Sequence, residues 1–266
     1  MSDFLAAAVA QARLRAARAA QLVPLERLRA GARAIPRPGA LAAALGGDGC
    51  AVVAEIKRAS PSRGALAAIT DPAALAGAYA RGGAAAVSVL TVPEHFGGAL
   101  EDLGTAAAAV SLPVLRKDFI VDVYQVWEAR AAGAAAVLLI VAALDDRGLR
   151  ALLRAADAAG LDALVEVHDA PQVRRAVAAA EATDGSGRRD RRLLLGVNAR
   201  NLSSLEIDPG RFEKLRAELP EEAIAVAESA VAGPDDVRRL AGVGESCVRA
   251  ADPAGHVRRL VEAGLR

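Results

Sequence analysis

The chain has almost no cysteine. Cys50 and Cys247 are the two thiols in 266 residues. They lie far apart and without metal-ligand spacing, so reduced buried thiols and a cytoplasmic home are expected, with no disulfide framework. An excess of either charge is missing as well. Thirty-three Lys and Arg against 32 Asp and Glu leave a net charge of +1, too weak a field to hold nucleic acid or an anionic membrane, which makes a small molecule the expected partner. No apolar stretch reaches the roughly 18 uninterrupted residues that a membrane span needs. The opening segment, Met1 to Leu22, carries Arg13, Arg15 and Arg18 among alanines, but Asp3 and the lack of serine after Ser2 tell against a targeting peptide. Phe4, Leu5, Val9, Ala12 and Ala16 recur there at helical spacing with the arginines off that face, so an amphipathic helix is expected. Aromatics amount to 3%, and the skew toward Ala and Arg resembles nucleotide-composition bias, which weakens propensity arguments.

What the chain does have is 53% hydrophobic residues, enough for one large core. Leu22 to Leu45 reads as a helical connection broken by Pro36 and Pro38. From Val52 onward short apolar runs alternate with helical segments: Val52–Ile56 then Pro72–Arg81, Ala86–Leu90 then Leu100–Ala109, Val114–Leu115 then Val123–Ala132. The alternation continues with Ala136–Val141 and Asp145–Ala158, Ala163–Val167 and Ala170–Ala182, Leu193–Val197 and Pro209–Leu219, and Ile224–Ala227 and Pro234–Leu240. Repeated strand-helix units imply a parallel sheet covered by helices. Seven units are explicit, and the terminal helix Pro253–Ala263 implies an eighth, which favours a closed eightfold barrel over an open doubly wound sheet. No Gly-x-Gly-x-x-Gly follows the first strand, which removes the signature of the open dinucleotide-binding alternative. The expected organisation is α/β: a (β/α)8 barrel over 49–266 preceded by an N-terminal helical extension over 1–48. Thr183 to Arg192, with its four arginines, reads as a solvated insertion ahead of the sixth strand.

In such a barrel the chemistry sits where the strands finish, because the following loops meet over one mouth. Glu55 and Lys57, two apart, share a strand face and run into a Ser-Pro-Ser-Arg-Gly turn beginning at Ser60. Alone, that pair reads more readily as an edge strand showing a salt bridge to water. Other runs end the same way, in Lys117 with Phe119, Glu166, Asn198 with Arg200, and Glu228 with Ser229. Carboxylates, ammonium groups, a guanidinium and an amide at five strand ends point to one acid-base site. His168, two residues past Glu166, reads as a rim or loop histidine, and Tyr124 and Trp127 as helix residues packed on the barrel wall.

The stretches Ala54–Gly64, Ser88–Thr91 with Phe96–Gly98, Leu112–Ile120, Tyr124–Gln125, Leu138–Ile140, Val165–His168, Gly196–Leu202 and Glu228–Ser229, in that order, resemble the indole-3-glycerol phosphate synthases of tryptophan biosynthesis. The resemblance implies an eightfold barrel with an N-terminal helical extension, needing no metal or organic cofactor. It implies ring closure of 1-(2-carboxyphenylamino)-1-deoxyribulose 5-phosphate with loss of carbon dioxide and water. Position by position, it casts Lys117 as the acid of ring closure and Glu166 as the base of dehydration. Lys57 becomes the acid of that second step and a holder of the substrate carboxylate, while Glu55 tunes the lysines. Glu228 and Asn198 complete the catalytic group, Asn198 hydrogen-bonding the sugar chain. Arg200 would face the anthranilate carboxylate, Phe119 the aromatic ring, and Leu202 a substrate-binding position. Ser60, Ser229 and the loops carrying Ala230 and Gly244 would take the phosphate. A monomer or weak homo-oligomer is expected.

The sequence departs from the family pattern near its end. Ala230 stands where the family has glycine after Glu-Ser, so a methyl is added there, which strains the loop if the position needs φ > 0. Between Leu240 and Gly244 about one strand's worth of residues is lacking, so the eighth strand is expected to be truncated or missing. The alternative function is therefore a non-catalytic barrel that binds a phosphorylated ligand or a partner enzyme. A phosphoribosylanthranilate isomerase-like activity fits poorly, because the Ser-Pro-Ser-Arg-Gly stretch is not its hallmark.

Overall fold

Seven of the apolar runs become parallel strands in the computed structural model, which describes residues 3–47, 50–183, 192–229, 231, 233–239 and 252–264. These are β1 (Val53–Ile56), β4 (Ala86–Leu90), β5 (Val114–Lys117), β6 (Ala136–Ile140), β7 (Asp162–Val167), β8 (Leu194–Asn198) and β9 (Ile224–Glu228), neighbours in space in that order. A short hairpin, β2 (Ala59–Ser60) with β3 (Gly64–Ala65), folds the Ser-Pro-Ser-Arg-Gly turn back on itself just past β1, a detail too short for hydrophobic patterning to foresee.

Helices α4 (Pro72–Arg81), α5 (Leu100–Ala109), α6 (Val123–Ala131), α7 (Asp146–Ala159), α8 (Ala170–Glu181), α9 (Arg211–Arg216), α10 (Pro234–Arg239) and α11 (Pro253–Gly264) alternate with the strands. Several start on an aspartate whose carboxylate accepts from a first-turn N–H: Asp71 from Ala74, Asp122 from Tyr124, Asp145 from Gly148 and Asp169 from Gln172. Such caps each contribute about 1 kcal/mol and set where a strand-to-helix loop ends. The helix expected over Pro209–Leu219 is reduced to α9, because Asp208 accepts from the Gly210 N–H and holds Pro209 and Gly210 in a turn. The terminal helix α11 packs against α10 on one side and α4 on the other, so the ring of helices joins its last member to its first. The architecture is that of a (β/α)8 barrel. The expected eighth-strand region around Gly244, and most of the arginine-rich insertion before β8, lie outside the described residues.

The strands separate two cores. Outward-facing Ala54, Ile56, Val87, Val89, Val137, Leu139, Val165 and Val197 pack under the helices. Inward-facing Ala86, Leu115, Leu138, Leu164, Leu194 and Val226 form a second cluster with residues from the N-terminal region. That region supplies α1 (Asp3–Leu22), α2 (Leu25–Ala34) and α3 (Leu41–Leu45). Helix α3 plugs the barrel floor: Leu41 and Leu45 join the inner cluster, and the Ala42 N–H donates to Asp162 at the start of β7. Helix α1 instead reaches the mouth, where the Phe4 ring meets Phe119 edge-on at 6.3 Å and Arg15 Nη2 donates to Asp118 at 3.1 Å. Among the described residues no helix is long and apolar enough to cross a membrane.

Candidate active site

The inner faces of the strands change character within one residue of their C-terminal ends. On β1, Val53 faces the interior cluster and Glu55, next on that face, begins the polar mouth. On β5, Leu115 is followed on its face by Lys117, and on β7, Leu164 by Glu166. Parallel pairing sets these ends side by side: Glu55 is in register with Ser88, and Asn198 with Glu228. Gly196 makes room among them, since a Cβ there would lie 2.1 Å from Glu228 Oε1. The result is a cavity of about 600 Å³ lined by Glu55, Lys57, Lys117, Glu166, Asn198 and Glu228. Ser60, Phe119, Arg200, Leu202 and Ser229 line it as well. Every expected site residue within the described part of the chain is thus brought together; Ala230 and Gly244 lie outside it.

The charges interlock. Lys57 Nζ donates to Glu55 Oε1 at 2.5 Å. Lys117 Nζ donates to Glu228 Oε2 and sits 3.7 Å from Glu166 Oε2. Burial works against the charged form of Lys117, but Glu228, Glu166 and Glu55 together outweigh it and raise its pKa, keeping the ammonium charged. Burial also pushes on the carboxylates. In Glu228 it prevails, with Glu166 and Glu55 adding repulsion, and the pKa rises to about 7 despite Lys117. In Glu166 burial loses to His168, Lys117 and Asn198, and the pKa falls to about 2. Two glutamates in one dry cup therefore hold their protons differently, the arrangement that separates acid from base roles.

Polar atoms left without partners face this mouth. Among the described residues Glu228 Oε1 and Ser60 Oγ are buried and make no hydrogen bond. Such orphans cost free energy unless a ligand satisfies them. Asn198 Oδ1, by contrast, already accepts from the Arg200 N–H and from Ser229 Oγ, each at 2.9 Å. Arg200 Nη1 donates to Ser62 Oγ at 3.0 Å and to the Leu205 carbonyl at 3.1 Å, tying the hairpin after β1 to the loop after β8. Ser229 adopts φ of 64°, a left-handed conformation unusual for a non-glycine residue. Local strain among the described residues of this loop therefore falls on Ser229.

Three features escaped sequence reasoning. His168 is no rim residue: its side chain is only 10% exposed, and Nε2 lies 3.3 Å from Glu166 Oε1. Its other nitrogen, Nδ1, faces Gln172 Oε1 at 3.2 Å. That oxygen also accepts from the His168 N–H while Gln172 Nε2 donates to Asp169, so Gln172 offers an acceptor and Nδ1 carries a proton. The i, i+2 spacing from Glu166 was the available signal. Second, Asp118 is a buried hub between Lys117 and Phe119. It accepts from Thr91 Oγ1 at 2.6 Å, Arg116 Nη2 at 3.0 Å, Arg15 Nη2 and the Phe119 N–H, which fixes the direction in which Lys117 leaves β5. Third, Phe4 and Arg15 bring α1 to the mouth, a contact across about a hundred residues that no local pattern signals.

Among solved structures, the fold is shared with one described as "Crystal structure of KGPDC from Streptococcus mutans", at TM-score 0.59 and 11% identity, covering 81% of this chain and 97% of that one. Another, "Native KDPGal structure", aligns at TM-score 0.52 and 16% identity over 80% of this chain and 93% of that one. Sequence relatives are far nearer. The chain is 50% identical over 229 residues to Indole-3-glycerol phosphate synthase 1 of Streptomyces coelicolor, covering 84% of this chain and 81% of that protein. It is 48% identical over 250 residues to Indole-3-glycerol phosphate synthase of Mycobacteroides abscessus, covering 91% and 88%. The family model for Indole-3-glycerol phosphate synthase matches residues 5–260. With the site described above lying inside that match, the chain belongs to the indole-3-glycerol phosphate synthase family.

Proposed function

We propose that this protein closes the indole ring of 1-(2-carboxyphenylamino)-1-deoxyribulose 5-phosphate in tryptophan biosynthesis, releasing carbon dioxide and water, and that the mouth residues divide the work as follows. Lys117, kept charged by three carboxylates, donates toward the ketone oxygen as the ring carbon attacks the ketone carbon. Its ammonium meets the oxygen where negative charge builds up, in a site shielded from water. Decarboxylation then leaves an alcohol that must depart as water. Glu166, ionised through the neutral range, removes the proton, and Lys57, hydrogen-bonded to Glu55, protonates the departing hydroxyl. Glu228 anchors Lys117, and Asn198, oriented by Ser229, faces the sugar chain.

The substrate's ends are assigned by charge and shape. Arg200 meets the anthranilate carboxylate with its planar fork, and Phe119, backed by Phe4, walls the aromatic ring beside Leu202. Ser60, with its unpartnered Oγ, and Ser229 reach toward the phosphate, and the family resemblance assigns Ala230 and Gly244, outside the described residues, to the same group. In this reading residues 1–48 serve as an extension that closes both barrel ends, residues 49–266 form the catalytic barrel, and the protein works in the cytoplasm.

The observation that carries the reading is the Lys117–Glu228–Glu166 cluster with Lys57–Glu55 beside it, at the ends of four different strands of one cavity. A barrel that only bound a phosphorylated ligand has no use for lysines gripped by buried carboxylates. The test is turnover of the carboxyphenylamino-deoxyribulose phosphate by purified protein, followed by indole fluorescence. Folded protein that produces no indole-glycerol phosphate overturns the proposal.

A further inference from the structure

Among the described residues Arg130 is a buried charge without a counter-ion. It lies in the last turn of α6 and is 3% exposed. Its Nη2 donates to the Ile35 carbonyl at 2.6 Å, while Nη1, also buried, has no partner. Among the described residues Arg130 makes no ion pair, and the charge that bears on it is another arginine: burial and Arg37 both push its pKa down. Buried charges are ordinarily paired, because an uncompensated one loses its hydration with nothing in return.

The surroundings repeat the same sign. Arg130 lines a cavity of about 470 Å³ on the outer wall, where α2, α6 and the end of α7 meet, together with Arg33, Arg37, Trp127, Ile35 and Pro36. No Asp or Glu lines it, and among the described residues neither Arg33 nor Arg37 has an ion-pair partner. Arg33 lies over the Trp127 ring, 5.5 Å from its centre, and Arg37 passes beside Gly160 at the C-terminus of α7. Helix C-terminal ends offset part of each charge, α7 for Arg37, and α6 with the Ile35 carbonyl at the end of α2 for Arg130, but neither supplies an anion. Trp127, 2% exposed, adds a second buried donor without a partner, its indole N–H. This cavity shares no lining residue with the catalytic mouth.

We propose that this wall cavity is a binding site for a small organic oxyanion, a carboxylate or phosphate held by Arg130, Arg37 and Arg33, with its apolar body against Ile35 and Pro36. Guanidinium forks suit both head groups. Arg33 and Arg37 are exposed, and rotamer changes in these two long side chains open the way to the buried fork.

The test uses a built-in reporter, because Trp127 is the one tryptophan of the chain. Its fluorescence is followed while full-length protein is titrated with inorganic phosphate, with benzoate, and with sodium chloride at matched ionic strength. A saturable change with phosphate or benzoate that chloride does not reproduce is expected, and which of the two saturates identifies the head group. Arg37→Gln should weaken that binding about tenfold, the loss of one charge-assisted hydrogen bond, with turnover at the mouth unchanged. Arg130→Met should abolish it; should that variant fail to fold, the double variant Arg33→Gln, Arg37→Gln takes its place. Fluorescence that tracks ionic strength alone overturns the proposal. So does saturation that is unaltered in Arg37→Gln and in the double variant, which would place the bound anion at the mouth.

Discussion

The lower and upper halves of the barrel interior are built on the same strands from opposite materials. Below, Ala86, Leu115, Leu164, Leu194 and Val226 close on Leu41 and Leu45 of α3 in a layer that carries no charged group. Above, one residue pair further along those strands, stand ionisable groups instead: buried Glu166 and the partly buried Lys117 and Glu228. The lower half stabilises the barrel by removing apolar surface from water, at about 25 cal/mol per Å². The upper half spends some of that stability holding charges out of water, which only a reaction justifies. Stability and chemistry should therefore be separable by mutation along a single strand.

The largest separation is expected at Lys117. Lys117→Ala should lower turnover by at least about a thousandfold, since it removes both the proton donor and the charge that meets the developing oxyanion. The melting temperature should hold or rise, because Glu228 can then remain protonated. A variant that unfolds would show that the upper half also carries the fold. Next comes Glu166→Gln, which keeps shape while removing the base. A loss of about 10² to 10⁴-fold in kcat is expected, with single-turnover kinetics showing ring closure spared relative to dehydration. Equal loss in both steps would remove Glu166 from its assigned role.

Much of this contrast was legible in the chain itself. Ala86–Leu90 and Ala136–Ile140 are apolar on both faces because helices cover one and the inner cluster fills the other, so they stand out as continuous runs. Glu55, Lys117, Glu166 and Glu228 were visible because a charge ends an apolar run, and strand ends in a parallel barrel converge. What stayed hidden depends on direction or distance. Whether His168 turns inward is decided by Gln172, one helical turn away, which holds its ring and is itself held by Asp169. The reach of Arg15 to Asp118 and of Phe4 to Phe119 depends on how α1 lies over the finished barrel, and nothing within either segment encodes it.

Below the mouth, Leu41→Ala should cost about 2–4 kcal/mol of stability, the usual penalty for a cavity at a leucine 1% exposed. Denaturant unfolding measures it, and kcat at a temperature where the variant remains folded should change less than about twofold. A large kcat defect there would erase the distinction between floor and mouth.

A smaller effect should appear in the pH dependence of stability. Glu228, with its pKa raised to about 7, keeps its proton when folded through a range where an unfolded glutamate has released it. The folded state binds more protons there, so this contribution is fully present below the ordinary glutamate pKa and is lost as pH rises through about 7. Glu166 has the opposite sign: its pKa is depressed to about 2, and its contribution is lost only as pH falls through that value. Subtracting the Glu228→Gln melting curve from that of the wild type should isolate a fall on the order of 2 kcal/mol between about pH 4.5 and 7. A flat difference would mean that Lys117 keeps Glu228 ionised throughout.

The smallest expected effect tests whether the charge beside Glu166 is functional. His168, with Nδ1–H donated to Gln172, presents Nε2 to the Glu166 carboxylate at 3.3 Å. A neutral ring in that tautomer would turn a lone pair toward an anion. Despite burial, Glu166 and Gln172 raise the pKa of His168, favouring the imidazolium, with Arg211 opposing. The imidazolium in turn helps hold Glu166 far below the ordinary carboxylate range, with Lys117 and Asn198. His168→Asn should therefore lower kcat only about tenfold, because Glu166 itself remains, but should raise the pKa of Glu166. On the acid side, activity should then be lost at a higher pH than in the wild type, the direction expected when a positive neighbour is removed from a base. A simple packing role predicts the opposite combination, a lower melting temperature with the acid limb of kcat/KM unmoved. That outcome would confine the functional charge of the upper half to the lysines and glutamates at the strand ends.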